Sequence, residues 1–259
     1  MKVQIGGIMA TDSKKVSIII PAYNAAEYIG FTIESVLKQT HENWEAIIID
    51  DCSKDATAAV VERYAERDGR IRFYRNEQNM GVARTRNRGF DLAQGEWVAL
   101  LDSDDCWYSE KIEKQLRLAV EKEADIVYSS YALVNVSTGE RKSYVVRDST
   151  DYNSMLNENV IGCSTVMLRK SITDTYQFST QFAHEDYALW LELLKAGYKA
   201  VGCKEILVDY AVMEGSRSYD KRKAAINRWK ILRKGQKLPL YRAVPAFCVY
   251  AIRGVIKHR

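Results

Sequence analysis

The sequence is poor in residues that interrupt regular structure, since its 259 residues include 14 glycines and three prolines. No apolar run approaches the roughly 20 residues that span a bilayer, and the apolar stretch at the N-terminus is too short and broken for a signal peptide. Five cysteines stand singly, without the close pairs typical of zinc or redox motifs: Cys52, Cys106, Cys163, Cys203 and Cys248. These absences argue against a disulfide scaffold and a membrane-spanning protein, and indicate a reducing, cytoplasmic setting.

The sequence has enough apolar material for a full core, with 47% hydrophobic residues and neither an internal repeat nor a low-complexity linker. Its charge is unevenly placed. Residues 214–259 hold 13 Lys and Arg against two Asp and Glu, a local charge of +11, whereas residues 1–213 carry −7. We therefore predict a short N-terminal tail (1–14), one acidic domain (15–215) and a basic, amphipathic helical tail (216–259).

The first hundred residues alternate between short apolar runs and segments of helical periodicity. Four runs are predicted as buried strands, at residues 16–22, 44–49, 71–74 and 97–101. Helices are predicted between them, at 27–39, from a cap at Ser53 or Asp55 to about residue 66, and from Val82 to a stop at Gly95. This order predicts a single α/β, Rossmann-like domain with a mainly parallel sheet flanked by helices on both faces.

The second half is less regular. Strands are predicted at residues 126–131, 143–146 and 164–168, with a turn at Ser137-Thr138-Gly139. A helix from Asp186 to Ala196 ends at Gly197, a residue that commonly terminates helices.

Three groups of acidic residues lie at positions where a carboxylate is unfavourable unless it has a function. Two follow predicted strands and one precedes a helix: Asp50 with Asp51, Asp102 with Asp104 and Asp105, and Glu185 with Asp186. Parallel strands end at one edge of a sheet, so the first two groups should meet there. Because converging carboxylates repel one another, a divalent cation such as Mg²⁺ or Mn²⁺, which prefers oxygen ligands, is a natural partner.

Five segments, in this order and spacing, resemble the family 2 glycosyltransferases of the GT-A fold. They are VSIIIPAYN (16–24), IIDDCSKD (48–55), GVARTRNRG (81–89), GEWVALLDSDD (95–105) and EDYALW (185–190). The resemblance covers roughly residues 15–215. It implies a metal-dependent enzyme that moves a hexose or N-acetylhexosamine from a nucleotide sugar to an acceptor hydroxyl.

The resemblance also implies residue roles on the donor side. Asp51 would accept a hydrogen bond from the imide N–H of a uracil base, and Asp104 of the DXD motif would ligate the metal at the diphosphate. Arg84 and Arg86, at a helix start, could face phosphate, and we select Arg84. The predicted donor-binding residues are Pro21, Ala22, Tyr23, Asp51, Arg84, Asp102 and Ser103.

On the acceptor side, the resemblance makes Asp186 the catalytic base that removes the proton of the attacking hydroxyl. Direct attack implies inversion at the anomeric carbon. Glu185 and Trp190 are the predicted acceptor contacts. Taken alone, Asp186 also suits the positive end of a helix dipole, and a tryptophan such as Trp190 is more often a core residue.

Two features depart from the family pattern. Cys52 stands where a glycine usually follows the paired aspartates. Many relatives also carry a histidine late in the domain, but the corresponding segment, residues 210–216, contains none. We expect Ser216, Arg217 or Ser218 to contact the diphosphate instead.

The basic tail predicts a membrane-facing element. From Leu240, one helical face carries the apolar residues Val244, Phe247, Ala251 and Val255, and the other carries Arg242, Arg253 and Lys257. A second basic helix, 221–237 with Trp229, favours anionic lipid. Packing on the domain or on a second copy is the alternative. We expect a peripheral enzyme on the cytoplasmic face of the membrane that builds a surface polysaccharide or glycolipid on a lipid-linked acceptor.

Three other functions compete with this interpretation. A sugar nucleotidyltransferase should carry a Gly-rich basic loop after the first strand, and Pro21-Ala22-Tyr23-Asn24 is not such a loop. A non-catalytic nucleotide- or lipid-binding module would be a decayed transferase, against which the joint presence of Asp51, Asp104 and Asp186 argues. Nucleic-acid binding by the tail is the weakest alternative, and we expect no nucleic-acid partner.

Overall fold

The computed structural model describes residues 13–212 and 221–256. The strands are β1 (Val16–Ala22), β2 (Trp44–Asp50), β3 (Ile71–Arg75), β4 (Trp97–Leu100), β5 (Cys106–Trp107), β6 (Ile126–Asn135), β7 (Arg141–Tyr144), β8 (Ser149–Thr150), β9 (Met167–Arg169) and β10 (Ala200–Val212). The α-helices are α1 (Ile29–Leu37), α2 (Thr57–Ala65), α3 (Val82–Leu92), α4 (Lys111–Glu121), α5 (Tyr152–Asn157), α6 (Lys170–Thr173), α7 (Glu185–Lys195), α8 (Lys221–Lys230) and α9 (Leu240–Ile256).

One sheet organises the molecule, with strand order β3-β2-β1-β4-β9-β6-β10-β5. The first four strands of that order pair in parallel, as do β6 and β10, whereas β9 is antiparallel to both β4 and β6. The predicted mainly parallel α/β sheet is therefore confirmed, with one reversed strand at its centre.

Both faces of the sheet are covered by helices. Because successive side chains of a strand point to opposite faces, Ile18 and Ile20 join one apolar core and Ile19 joins the other. Residues of α1, α2 and α4 complete the first core, and residues of α3 and α7 complete the second. The continuous apolar runs of the sequence are explained by this two-sided burial.

Two glycines set the position of α3. Gly81 precedes the helix with φ 80°, a conformation that glycine adopts without a steric penalty. At Gly89 an added Cβ would lie 2.4 Å from Ile19 Cγ2, so only glycine lets the helix approach β1 this closely. The glycines at the two ends of the segment 81–89 therefore serve a turn and a close helix–strand contact.

The structure corrects several predicted boundaries. Residues 164–168 do not form one strand, because Cys163–Thr165 is a 3₁₀ turn and β9 begins at Met167. The strand predicted at 143–146 lies at 141–144. Helix α2 follows Ala56; Asp55 accepts from the N–H of Thr57, whereas the Ser53 hydroxyl bonds Asp50. The 3₁₀ turn also carries Ser164, whose hydroxyl bonds the loop after β4.

Helices α8 and α9, here called the helix pair, pack on the same core as α3 and α7. A π-helical turn, Ile231–Gly235, follows α8. Buried residues from this region of the chain join that core: Ile231, Leu232, Leu238, Ala243 and Ala246. Across the described segments, no helix is long and apolar enough to cross a membrane.

The apolar face predicted for α9 is divided in the structure. Phe247 packs edge-on against Trp229 of α8, with ring centroids 5.5 Å apart, whereas Val244 is 45% exposed. The side chains predicted at Arg253, Val255 and Lys257 lie outside the described residues. The alternative in which the tail packs on the domain is thus correct for the inner face of the helix pair.

Candidate active site

A cavity of about 490 Å³ opens at the carboxyl ends of β1, β2 and β4. The parallel pairing of these strands brings their following loops to one edge of the sheet. Seven residues predicted from the sequence line it: Pro21, Ala22, Tyr23, Asp51, Asp102, Ser103 and Asp104. Four lining residues were not predicted, namely Asn79, Gly81, Val82 and Thr85. Here the seven predicted residues are called the donor rim.

Asp51 joins two loops at the base of this cavity. Its Oδ1 accepts from the Asn76 side-chain amide at 2.7 Å and from the N–H of Met80 at 2.8 Å. Its Oδ2 accepts from the N–H of Gly81 at 2.8 Å. An ionised carboxylate offers about four acceptor positions, so one remains for a ligand. The segment 76–81 is therefore fixed to β2 through a side chain that still faces the cavity.

Asp105, next to the DXD motif, is wholly buried. Its carboxylate accepts from the Ser164 hydroxyl and, at 2.9 Å, from the N–H of Ala211. Ser164 in turn accepts from the N–H of Asp102 at 3.0 Å. Burial raises the pKa of Asp105, and the charges of Asp104 and Asp102 raise it further. Asp105 thus holds the loop after β4 against the 3₁₀ turn and the end of β10.

Arg86, and not Arg84, forms the central ion-pair network. Its Nη2 donates to Asp102 Oδ1 at 2.5 Å, and its Nη1 donates to Glu185 Oε1 at 2.7 Å. Burial alone would lower the pKa of Arg86, but the two carboxylates, Asp102 foremost, hold it well above its usual value. The side chain lies over the Phe178 ring at 5.4 Å. Arg86 therefore connects the donor rim to the first residue of α7.

Arg84 lines a second cavity of about 380 Å³, which shares Gly81 and Val82 with the first. Thr180, Phe182 and Glu185 form its other side. Arg84 is exposed. It was predicted as a donor contact, but it lies outside the set that lines the donor-rim cavity and next to the start of α7. Whether it reaches a donor phosphate stays a prediction.

Asp186 lies in the first turn of α7, half-buried, beside the predicted acceptor contact Glu185. Burial raises the pKa of Tyr210, near the end of β10, and the carboxylates of Asp102, Asp105 and Asp186 raise it further. Carboxylates from the loop after β4 and from α7 therefore both raise the pKa of this one tyrosine. The acidic groups after β4 and at the start of α7 therefore approach one another near the end of β10.

Trp190, the second predicted acceptor contact, is a core residue in this structure. Its side chain is wholly buried on the core-facing side of α7, four residues after Asp186. Its ring meets the ring of Phe178 edge-on, with 6.1 Å between the centroids. A tryptophan one turn beyond Asp186 can also face the core, as Trp190 does, so its predicted contact with an acceptor stays a prediction that this burial does not favour. Glu185 is 6% exposed and bonds Arg86, so its role at an acceptor stays a prediction.

The carboxylates that line this cavity suit a divalent cation that the substrate also helps to hold. Asp102 and Asp104 line the cavity together. Within residues 13–212 and 221–256, no group of three or more His, Cys, Asp or Glu could hold a metal ion. Mg²⁺ at nucleotide sites commonly takes one or two carboxylates and completes its shell with phosphate oxygens and water. One or two aspartates beside an open cavity therefore fit such an ion. The predicted contacts Ser216, Arg217 and Ser218 lie outside the described residues.

A protein-family model described as glycosyl transferase family 2 matches residues 17–177. The chain belongs to this family. A teichuronic acid biosynthesis glycosyltransferase by name, TuaG of Bacillus subtilis, is 38% identical over 93% of this chain and 96% of its own length. WfgD of Escherichia coli is 36% identical over 95% of this chain and 96% of its own length. Its name describes a β-1,3-glucosyltransferase with UDP-Glc and α-D-GlcNAc-diphosphoundecaprenol.

Solved glycosyltransferase structures confirm the GT-A fold. Staphylococcus aureus TarS (residues 1–349), in complex with UDP-GlcNAc, superposes with TM-score 0.74 at 20% identity, over 92% of this chain and 71% of that one. The mannosyltransferase PcManGT of Pyrobaculum calidifontis, with GDP-Man and Mn²⁺, gives 0.70 at 14% identity, over 95% and 77%. Family membership also removes the nucleotidyltransferase alternative. The family match ends at residue 177, before Asp186, whereas the similarity to TuaG and WfgD extends over nearly the whole chain.

Proposed function

We propose that this family 2 glycosyltransferase transfers a sugar from a UDP-sugar to a hydroxyl of a lipid-linked saccharide, with inversion. The observation that carries the proposal is the convergence of the donor rim with the start of α7. Asp51, Asp102 and Asp104 line one cavity, and Arg86 ties Asp102 to the residue that precedes Asp186. A nucleotide site and a candidate base thus belong to one bonded unit.

Donor recognition is proposed to begin at Asp51. Pro21, Ala22 and Tyr23 form the cavity wall on the β1 side. The remaining acceptor position of Asp51 suits the imide N–H of uracil, which favours uridine over a base that presents an acceptor there. The name of WfgD, which gives UDP-Glc as donor, supports this choice.

Asp104 is proposed to hold Mg²⁺ or Mn²⁺ at the donor diphosphate, and Asp102 to contact the ribose of the donor. When bound, the ion supplies positive charge that stabilises the departing diphosphate. Asp186 takes the proton of the acceptor hydroxyl, whose oxygen bonds to the anomeric carbon as the bond from that carbon to the diphosphate oxygen breaks. The displaced group leaves on the opposite side of the carbon, so the sugar is inverted.

The acceptor and the location of the enzyme are also proposals. WfgD and WfaP, both named as acting on α-D-GlcNAc-diphosphoundecaprenol, are each 36% identical to this chain. Their names support a lipid diphosphate saccharide as acceptor and a hexose as the transferred sugar. The name of TuaG, a teichuronic acid biosynthesis glycosyltransferase, supports a role in surface polysaccharide synthesis. Peripheral binding at the cytoplasmic membrane face is proposed from the basic charge of the helix pair.

The test measures release of nucleoside diphosphate from a panel of nucleotide sugars, with and without Mn²⁺ and a membrane-lipid extract. For Asp186→Asn we expect kcat to fall by about 10²–10⁴-fold, because the isosteric amide cannot accept the proton. UDP affinity should stay unchanged. Glu192→Gln, an exposed change on the same helix, is the control and should keep full activity.

Three outcomes decide between the alternatives. Metal-dependent turnover of one UDP-sugar, lost in Asp186→Asn, supports the proposal. Equal turnover in Asp186→Asn removes Asp186 as the base. Donor binding by the unaltered chain without turnover under any condition indicates a non-catalytic binding module.

A further inference from the structure

An apolar groove separates the two helices of the helix pair. Its volume is about 690 Å³, and its floor is formed by Ile226 and Trp229 of α8 with Val244 and Phe247 of α9. Arg222 and Lys230 also line it, one turn before and one turn after Ile226. The groove thus combines an apolar floor with a basic residue at each end of its α8 side.

Both helices of the pair carry exposed apolar side chains, of which Ile226 and Val244 line the groove. Leu240, Tyr241, Val244 and Ile252 of α9 and Ile226 of α8 are between 45% and 78% exposed. Tyr241, Val244 and Ile252 recur at intervals of three and eight residues, so they lie along one side of the helix. Contiguous apolar surface of this kind is uncommon on a monomer and marks a site of interaction.

The charge of the region limits what can cover it. Residues 221–256 contain ten Lys and Arg and neither Asp nor Glu. A second copy docked face to face would bring two such surfaces together, which is unfavourable for like charges. An anionic partner with an apolar interior satisfies both the basic rim and the apolar floor. A bilayer containing anionic phospholipid has this composition.

We propose that the groove receives a hydrocarbon chain of an anionic phospholipid from one bilayer leaflet, while Arg222 and Lys230 contact lipid phosphates. The proposal deepens the proposed function and rests on its lipid-borne acceptor. It replaces the face predicted from helical periodicity, in which Phe247 inserts into the membrane, with an outer face of Ile226, Tyr241, Val244 and Ile252.

The location of the groove relative to the base supports this assignment. The opposite side of α8 carries Arg228, whose guanidinium lies 3.7 Å over the ring of Tyr187, the residue after Asp186. A helix with its side chains is about 10 Å across. The groove is therefore about one helix thickness from the helix that carries the base, so a leaflet bound there would present its lipids near the acceptor side.

Trp229 makes the proposal directly measurable. The other four tryptophans, Trp44, Trp97, Trp107 and Trp190, are at most 5% exposed. We would record tryptophan fluorescence with phosphatidylglycerol vesicles whose acyl chains carry bromine, which quenches on contact. Phosphatidylcholine vesicles with the same bromination are the comparison. Quenching is expected with the phosphatidylglycerol vesicles but not with the phosphatidylcholine vesicles. The Trp229→Phe variant should show no quenching, although it should still co-sediment with the phosphatidylglycerol vesicles.

Ile226→Asp and Val244→Asp test the apolar floor at exposed positions where the fold should tolerate a charge. Each should weaken co-sedimentation with phosphatidylglycerol vesicles at least tenfold. Val145→Asp, a similarly exposed change far from the helix pair in sequence, is the control and should bind like the unaltered chain. Donor binding and UDP-sugar hydrolysis should be unchanged in all three, which separates failure of this proposal from failure of the proposed function.

The opposite results are equally clear. Vesicle binding without quenching of Trp229 would mean adsorption by charge alone and would overturn the proposal. Equal quenching by neutral vesicles would overturn the role of the basic rim. A dimer on size-exclusion chromatography that Val244→Asp dissociates would show that a second copy covers the groove.

Discussion

The donor rim and the helix pair are attached to the rest of the domain by different means. At the rim, carboxylates are held by short, directed hydrogen bonds from several loops, as with Asp51 and its three donors at 2.7–2.8 Å. The helix pair is held by apolar burial, ring contacts and a few polar bonds, and its outer face remains apolar and exposed. The rim is built to position charged groups, whereas the helix pair is built to present a surface.

One residue of the helix pair connects it to α7, the helix that Arg86 in turn ties to the donor rim. Arg228 is 4% exposed, and its Nη2 donates to the carbonyls of Met155 at 3.1 Å and Leu156 at 2.8 Å, in the last turn of α5. Its guanidinium stacks on Tyr187 of α7 and on Tyr250 of α9. Burial lowers the pKa of Arg228, and no salt bridge to it is found among the described residues. Helix-end carbonyls and aromatic rings therefore stabilise this cation.

The largest effect is expected at Arg86. Arg86→Gln leaves Glu185 as a buried carboxylate without its cation, and breaking such a pair costs about 3–5 kcal/mol. We therefore expect the free energy of unfolding to fall by that amount, and transfer activity to fall with it. Urea denaturation and kcat for sugar transfer measure the two effects.

The matched control is Arg84→Gln on the same helix. Arg84 is exposed, so the substitution should change stability by less than about 0.5 kcal/mol. The double variant Arg86→Gln/Glu185→Gln should recover part of the stability, because neither buried charge of that pair then remains. If Arg86→Gln is as stable as the unaltered chain, the network has no role in tying α7 to the donor rim.

The donor rim was predictable because its determinants are local. Continuous apolar runs predicted the buried strands, and parallel strands place the residues that follow them at one edge. The order of strands and helices alone therefore places Asp51, Asp102 and Asp104 at the same edge. Even the reversed strand β9 leaves this edge unchanged, because it pairs beyond β4.

The predictions for Arg84, Trp190 and α9 depend on which side of a helix faces the core. Arg84 and Arg86 are two residues apart and point in different directions, so a motif alone does not select the buried one. Trp190 has the same ambiguity on α7. Helix α9 is apolar on two sides, with Ala243 and Ala246 inward and Val244 and Ile252 outward, and hydrophobic periodicity alone cannot choose between them. Tertiary packing decides all three cases.

A smaller effect is expected at the connection between the helix pair and α7. Arg228→Gln removes the bonds to two helix-end carbonyls, and hydrogen bonds of charged groups contribute about 1.5–3 kcal/mol each. The substitution also removes a buried charge, which offsets part of that loss. We therefore expect the free energy of unfolding to fall by about 1–2 kcal/mol. Because Tyr187 follows Asp186, kcat for transfer should fall about tenfold while UDP affinity stays unchanged. Transfer kinetics measure kcat, and calorimetric titration with UDP measures the affinity for UDP.

Lys234→Gln is the control for charge, since Lys234 is exposed in the turn after α8. Arg228→Lys keeps the charge but cannot bond two carbonyls with the same planar geometry, and should recover part of kcat. A loss of UDP affinity equal to the loss of kcat would show that Arg228 supports the whole fold and not the position of α7.

The smallest effect concerns strain at the donor rim itself. Cys52, directly after Asp51, has φ 62°, a left-handed conformation that costs a non-glycine residue about 1–2 kcal/mol. Cys52→Gly removes this strain but adds freedom to the unfolded chain worth about 0.5–1 kcal/mol. A net gain of about 0.5 kcal/mol in the urea unfolding free energy is expected, with UDP affinity unchanged. Cys52→Ala keeps the strain and loses the thiol, so it should not gain stability. If Cys52→Gly weakened UDP binding, the side chain at this position would itself be holding Asp51 in place, and the rim would depend on more than its hydrogen bonds.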